Sequence, residues 1–284
     1  MELVVPLVVS FLNRKGGVGK TSSVHNIGGL FARDGRRVLL IDMDPQFSLT
    51  QGLLGARPAL SLPKEHTVTA LFNDACDPDP DRIIRTTAFE RLHLAPGSAT
   101  LNSYNLPDPQ LQSSSLQSAL TLFVNEVRDR YDIILIDCPP NLNMSSWCAL
   151  LSSDACVVPT QPEDYGAQGL IHVAQMIEQA AAGPNPRLQL MGYLLTMVRP
   201  RLGIHIAYRD QLKLQYGSAV FAAEVPDLTH FKEAITVQMP ISHYKPKSKA
   251  TLAIRAVAEE MMARARGEQF PVENVGVDER RIVA

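Results

Sequence analysis

Residues Leu7–Leu12 (LVVSFL) form an apolar run of strand length, and shorter runs recur at Val38–Ile41 (VLLI), Ile133–Ile136 (IILI) and Ala155–Val158. A strand with one wet face alternates apolar and polar residues. A strand that is apolar throughout must be covered on both faces. The runs are separated by stretches with helical spacing. Lys20–Asp34 carries Val24, Ile27 and Phe31 on one stripe, and Ser113–Arg130, Ile204–Tyr216 and Lys249–Arg266 also read as helices. Another helix is predicted from Gly166 to Ala182, closed by Gly183-Pro184. Leu188–Thr196 and Val220–Val225 complete the predicted strands. This alternation predicts an α/β fold: a mostly parallel twisted sheet with helices on both faces. Asp42 and Asp137 directly follow their apolar runs. That places them at the carboxyl edge of the sheet, where such folds bind ligands.

At 45% hydrophobic and 20% charged residues, the 284-residue chain has an ordinary globular composition. Disordered, collagen-like and disulfide-stapled classes are thereby excluded. No run approaches the roughly 18 apolar residues that a membrane span needs. Met1–Leu12 shows neither the basic start nor the cleavage site of a signal peptide. Cys76, Cys138, Cys148 and Cys156 form no C-x-x-C pair and have no histidine at ligand spacing. They are predicted to be small buried hydrophobes in a reducing cytoplasm. Arg57–His66, Asp74–Asp81 and Leu106–Ser115 are polar, Pro-bearing or Ser-rich segments and read as loops. One domain is predicted over residues 1–266, followed by a flexible tail over 267–284.

The segment Asn13-Arg14-Lys15-Gly16-Gly17-Val18-Gly19-Lys20-Thr21 lies between the first strand and the first helix. Glycines let successive backbone N–H groups turn inward onto phosphate oxygens. The helix that follows presents its positive end to the same place. Lys20 can reach the outer phosphates, and the Thr21 hydroxyl can ligate Mg²⁺. The strict G-x-x-x-x-G-K-[ST] pattern fails, because Arg14 stands where its first glycine would be and Lys15 heads the loop.

A leading lysine in K-G-G-V-G-K-T resembles the deviant Walker A motif of the ParA/MinD ATPases. Val38–Gln46 (VLLIDMDPQ) resembles that family's second motif, and Tyr131–Pro140 (YDIILIDCPP) its Walker B segment. Weaker likeness follows at Val157–Gly169, Leu194–Met197 and Val225–Ala234, so the resemblance spans about residues 5–265. The D-P-Q ending and L-L-T-M are more similar to the ParA/Soj partition branch than to MinD. The resemblance implies a P-loop ATPase that uses ATP and Mg²⁺ and works as a homodimer in its ATP state. It assigns catalysis to Lys15, Lys20 and Asp44, with Lys15 crossing to the partner's ATP. Nucleotide contacts fall on Lys15, Gly16, Gly17, Val18, Gly19, Lys20, Thr21, Ser22, Pro226 and Asp227. Metal contacts fall on Thr21, Asp42 and Asp137. The loop supplies charge and position but no strong base, so slow hydrolysis stimulated by a ParB-like or adaptor partner is expected. The alternatives are a nucleotide-gated binding module with little hydrolysis, or a MinD-like positioning ATPase.

Partition ATPases of this kind bind DNA without sequence preference, which requires only clustered Lys and Arg. The net charge of −2 hides the candidates. Residues 1–198 carry 14 basic and 19 acidic side chains, whereas residues 199–284 carry 13 and 10. Arg199, Arg201, Lys232, Lys245, Lys247 and Lys249, with Arg209 and Lys213, form the predicted DNA face. In Val225–His230 (VPDLTH), Asp227 and His230 replace two family arginines and Leu228 replaces an asparagine. No basic, aromatic C-terminal helix suited to a membrane surface is present in the sequence. A cytoplasmic, nucleoid-associated protein is expected.

Overall fold

The computed structural model describes residues 6–76, 78–162 and 167–268. The predicted tail therefore lies outside the described residues except for Gly267 and Glu268, as does the predicted helix start at Gly166. The strands are β1 (Leu7–Phe11), β2 (Val38–Asp42), β3 (Arg85–Thr86), β4 (Leu92–Ala95), β5 (Ile133–Asp137), β6 (Ala155–Thr160) and β7 (Gln189–Leu195). They form one seven-stranded sheet in the order β3-β4-β2-β5-β1-β6-β7. All pairings are parallel except β3 with β4.

The helices are α1 (Lys20–Arg33), α2 (Ser48–Leu54), α3 (Ala56–Ser61), α4 (Pro80–Ile83), α5 (Ser114–Val127) and α6 (Met144–Ser152). They continue with α7 (Ala167–Ala182), α8 (Gly203–Tyr216), α9 (Thr229–Thr236), α10 (Ile241–Tyr244) and α11 (Lys249–Ala265).

The continuous apolar runs are buried on both sides, as their composition requires. Leu39, Ile41, Ile134 and Ile136 enter one core with Phe123, Trp147 and Val173 from α5, α6 and α7. Their neighbours Val38, Leu40, Ile133 and Leu135 enter the other, with Ile27 and Leu30 of α1 and Ile254 and Val257 of α11. Helix α1 is held especially close. A Cβ added at Gly28 would lie 2.6 Å from Leu40, and one at Gly29 would lie 2.2 Å from Pro240. The Asn26 side chain also accepts the Ile241 N–H at 2.7 Å. The phosphate-loop helix is thus wedged between the sheet and the C-terminal helices.

Three sequence expectations change. Val220–Val225 is not a strand; only single bridges join Tyr193 to Val220 and Val198 to Pro226. The reason is a competing acceptor. The buried Glu260 carboxylate takes the N–H groups of Ala222 and Ala223 at 2.9 and 2.8 Å, removing them from any ladder. β3 and β4 were not legible, because four residues reading LHLA carry no clear period. The segments 57–66 and 74–81 are not wholly irregular. They contain α3 and α4, the latter started by Pro80 and capped by the Asp79 side chain. Asp132, just before β5, binds Arg37 through its side chain and backbone, joining the starts of β2 and β5. Cys138, Cys148 and Cys156 are buried as expected, and Cys76 is half-buried.

Candidate active site

The loop from Leu12 to Gly19 connects the end of β1 to α1. Gly17 and Gly19 adopt φ of 76° and 79°, a left-handed backbone that side chains disfavour. Asn13 fixes the turn from within: Oδ1 accepts the Lys15 N–H at 3.0 Å and Nδ2 donates to Pro159 O at 2.7 Å. The Thr196 hydroxyl donates to Val18 O at 2.9 Å from the end of β7. No side chain caps the first turn of α1. Its open N–H groups and the positive helix end are left for an anion.

Lys20 is buried, and its Nζ donates to Lys15 O at 2.9 Å, which draws the ammonium back over the loop. Burial lowers its pKa, while Asp137 and Asp44 act in the opposite direction. Lys15, at the head of the loop, is exposed.

The β2 and β5 register pairs Asp42 with Asp137, so two carboxyls end adjacent strands beside the loop. Their surroundings differ. Asp42 Oδ2 accepts both the hydroxyl and the N–H of Thr50, at 2.7 and 2.9 Å, and Oδ1 accepts the Asp44 N–H at 3.2 Å. The same Thr50 hydroxyl accepts the Gly97 N–H at 2.9 Å. Gly97 is needed there, since a Cβ would lie 2.8 Å from Asp42 O. Burial pushes Asp42 up to about 7 despite the Thr50 bonds. Asp137 is also fully buried, but among the described residues nothing completes a hydrogen bond to either of its oxygens. Burial, then the adjacent Asp42, pushes its pKa well above the usual range, with the Thr21 hydroxyl and Lys20 opposing. An orphaned buried carboxylate next to a hydroxyl suits a cation with oxygen ligands. Among the described residues no group of three or more His, Cys, Asp or Glu is disposed to hold a metal. A cation here would therefore draw most of its ligands from phosphate and water.

Asp44 follows on the turn after β2. Its Oδ1 accepts the Gln46 N–H at 2.9 Å. Burial raises its pKa, and the Gln46 bond and Lys20 counter it. The turn closes at Phe47, whose φ of 40° is strained for a residue with a Cβ. One cleft is lined by Gly16, Gly17, Gly19, Lys20, Thr21, Ser22, Asp44, Gln46 and Pro140. A second, lined by Val225, Pro226, Asp227, Leu228, Phe231, Lys232 and Ile254, shares Gly19, Ser22, Met197 and Ile235 with the first. The two form one continuous trough. Met197, on the shared wall, has φ of 54°.

The expected loop and carboxyl residues are thus brought together, but the basic residues are not one free set. Arg199 pairs with Asp227 at 2.8 Å, and Lys245 pairs with Glu233 at 2.5 Å. Arg209 lies within 3.9 Å of Glu224. Lys232 lines the second arm of the trough, and Arg201, Lys247 and Lys249 are exposed. Sequence reasoning missed Thr50 and Gly97, which carry no motif and meet the site only through the fold, and it gave Thr196 of L-L-T-M no role. It also missed His25, which lines the loop-side cleft one turn beyond Thr21. Among the described residues His25 Nε2 is buried without a partner, and burial, then nearby His243, lowers its pKa to about 4.

A family model described as an AAA domain matches residues 7–190. The chain is 36% identical over 261 residues to an uncharacterised protein of Pseudomonas putida, covering 91% of this chain and 95% of that one. It is 34% identical over 259 residues to the chromosome-partitioning ATPase Soj of Thermus thermophilus, covering 91% and 96%. Among solved structures it resembles cobyrinic acid a,c-diamide synthase of Mycobacterium smegmatis with bound ADP and magnesium. That match has a TM-score of 0.78 and 25% identity, covering 95% of this chain and 99% of the other. Among the described residues no helix is long and apolar enough to cross a membrane.

Proposed function

Because the chain belongs to the Soj/ParA family of partitioning ATPases, we propose that it binds ATP with Mg²⁺ along this trough and hydrolyses it as a dimerising switch in DNA partitioning. The observation that carries this reading is convergence. Lys20 and Thr21 from α1, Asp44 from the turn after β2 and Asp137 from β5 meet beside one uncapped helix end.

The loop N–H groups from Gly16 to Ser22 cradle the phosphates, and Lys20 bridges the outer ones. Thr21 and Asp137 would hold Mg²⁺, Asp137 through water, and the cation supplies charge neutralisation on the transferred phosphoryl group. Asp44 orients the attacking water and accepts a hydrogen bond from it. A raised pKa improves it as an acceptor of the proton. Asp42 acts one step back: with Oδ2 given to Thr50 and Oδ1 to the Asp44 N–H, it sets the turn that carries Asp44. Pro226 and Asp227 line the base end of the trough.

Exposed Lys15 reaches the nucleotide of a second copy, so the ATP state is a homodimer and hydrolysis releases it. Arg201, Lys232, Lys247 and Lys249 supply phosphate contacts to nonspecific DNA, with Arg199 and Lys245 contributing only if their acidic partners let go. A ParB-like or adaptor protein accelerates the slow basal turnover. Residues 1–266 constitute the ATPase domain, and the protein acts in the cytoplasm on the nucleoid.

The test is phosphate release and sedimentation with ATP and Mg²⁺, with and without DNA. Lys20→Ala should lose ATP binding, Lys15→Ala should bind ATP but stay monomeric, and Asp44→Ala should accumulate an ATP dimer. Normal turnover in Lys20→Ala or Asp44→Ala would overturn the assignment.

A further inference from the structure

The turn between β2 and α2 is closed by a clamp whose parts lie outside the phosphate loop. Asp42 and Thr50 are both fully buried. The Gly97 N–H donates to Thr50 Oγ1 at 2.9 Å, and the hydroxyl hydrogen goes to Asp42 Oδ2 at 2.7 Å. The Thr50 N–H, in the first turn of α2 where intrahelical acceptors are lacking, donates to the same Oδ2 at 2.9 Å. Two donors from one residue hold the carboxylate from one side. Its Oδ1 faces the turn and accepts the Asp44 N–H at 3.2 Å. Asp44 passes the constraint on: its O accepts the Phe47 N–H at 2.8 Å, and its Oδ1 accepts the Gln46 N–H at 2.9 Å. Among the described residues no hydrogen bond reaches Asp44 Oδ2, and Asp44 lines the loop-side cleft. Phe47 then leads into α2 with φ of 40°. A residue with a Cβ stays in that region only where its surroundings over-determine it. The bonds from Thr50 back to Asp42 do so, tying the end of β2, the turn and α2 into one closed ring.

We infer that Thr50 is a positioning residue for hydrolysis: its hydroxyl and N–H lock Asp42 onto the Asp44 backbone, and that lock aims the open Asp44 Oδ2 at the attacking water. The inference rests on Asp44 being the residue that orients this water. Thr50 lines neither arm of the trough, whereas Ser48, Leu49 and Gly52 of the same helix line one. Its effect on the chemistry therefore passes through Asp44. A carboxylate on a free turn spreads over several directions, and a misplacement of ~1 Å costs on the order of a hundredfold in rate. The clamp removes that freedom before ATP arrives. Gly97 is part of the device, because a Cβ there would lie 2.8 Å from Asp42 O and hold the N–H away from Thr50. Valine at position 50 would keep nearly the same shape but no hydroxyl. It would leave the Gly97 N–H unpaired and Asp42 held by the Thr50 N–H alone.

The test is steady-state ATP hydrolysis by the full chain with Mg²⁺, run beside equilibrium ATP binding and melting temperature. Thr50→Val should lower kcat about tenfold or more and leave KM and the ATP Kd within about twofold. Thr50→Ser keeps the donor and should restore most of kcat. Thr50→Cys keeps a weaker donor and should fall between the two. It also carries the test if Thr50→Val melts below the assay temperature. A double-variant cycle with Asp44→Ala, followed by single-turnover release of phosphate, tells positioning from mere support. With Asp44 gone there is nothing to aim, so adding Thr50→Val should cost less than about twofold further. Three results would overturn the inference: the same loss repeated in full in the Asp44→Ala background, a loss of ATP affinity as large as the loss of kcat, or an unchanged kcat in Thr50→Val. If Asp44→Ala turns over normally, the water-orienting role of Asp44 has failed and the role of Thr50 falls with it. If Asp44→Ala is slow and Thr50→Val is normal, only the role of Thr50 has failed.

Discussion

Replacing Glu260 by leucine should remove a large part of the folding free energy, because this side chain ends four hydrogen bonds in the interior. Glu260 is 1% exposed. It accepts the N–H groups of Ala222 and Ala223 at 2.9 and 2.8 Å, and Arg264 Nε and Nη2 at 2.9 and 2.7 Å. Arg264 also donates to Met191 O and Val220 O at 3.0 and 2.9 Å, with its guanidinium carbon 4.4 Å from the Phe221 ring centre. The exposed Ala222 amide can turn to water, so its loss is cheap. The Arg264 side chain, only 14% exposed, cannot, and it would stay as an unneutralised cation. Breaking a buried pair from one side costs about 3–5 kcal/mol. That is about a fifth or more of the ~5–15 kcal/mol available to a typical native protein. Adding Arg264→Met removes the stranded charge, so the double variant should recover about 1–4 kcal/mol. Urea unfolding with m-values held in common measures both. A cost below about 1 kcal/mol for Glu260→Leu, or a double variant no better than the single, would refute the claim that a charged anchor replaces the strand expected at 220–225.

Two further predictions concern titration and the metal. The His25 imidazole sits at about 4 in the folded chain against an ordinary 6.5, so the unfolded chain takes up a proton first as pH falls. Stability from this group is complete above 6.5 and is lost down to about 4, amounting to ~3 kcal/mol. His25→Leu should flatten that part of the profile, measured by denaturation at pH 5 and pH 7.5, and an unchanged slope counts against it. Asp137 has the opposite sign. Its folded pKa is raised, so its contribution falls as pH rises above the ordinary carboxyl range of 3.8. Nucleotide-free Asp137→Asn should therefore melt higher than the parent at pH 8 but gain less from Mg²⁺ with ATP. Equal melting shifts in the two proteins would sink the cation role.

The legible parts of the molecule were those written in contiguous residues. The apolar runs at 7–12, 38–41 and 133–136 fold as parallel strands buried on both faces because nothing else covers a side chain in every direction. The glycine–lysine loop was equally plain, since Gly17, Gly19 and Lys20 perform their tasks within a few residues of one another. What stayed hidden depends on partners far along the chain. Thr50 matters because Gly97 and Asp42 arrive beside it. Val220–Val225 reads as a strand until Glu260 captures its amides. Arg199 and Lys245 read as free cations until Asp227 and Glu233 are seen against them. Net charge by segment could not say which of the basic residues were already paired.

The close seat of α1 bears on how such a chain can diverge. At Gly29 there is no room for even one methyl group, since its carbon would stand 2.2 Å from Pro240. Nor can the helix back away, because Gly28 already leaves a Cβ only 2.6 Å from Leu40. A single codon change at position 29 therefore meets a wall, and a change at 240 first opens a hole behind the phosphate loop. Inheritance at these two sites is tied: drift passes only through paired steps. Descendants of this sequence should vary at positions 29 and 240 together or keep both, whatever happens on the surface around them.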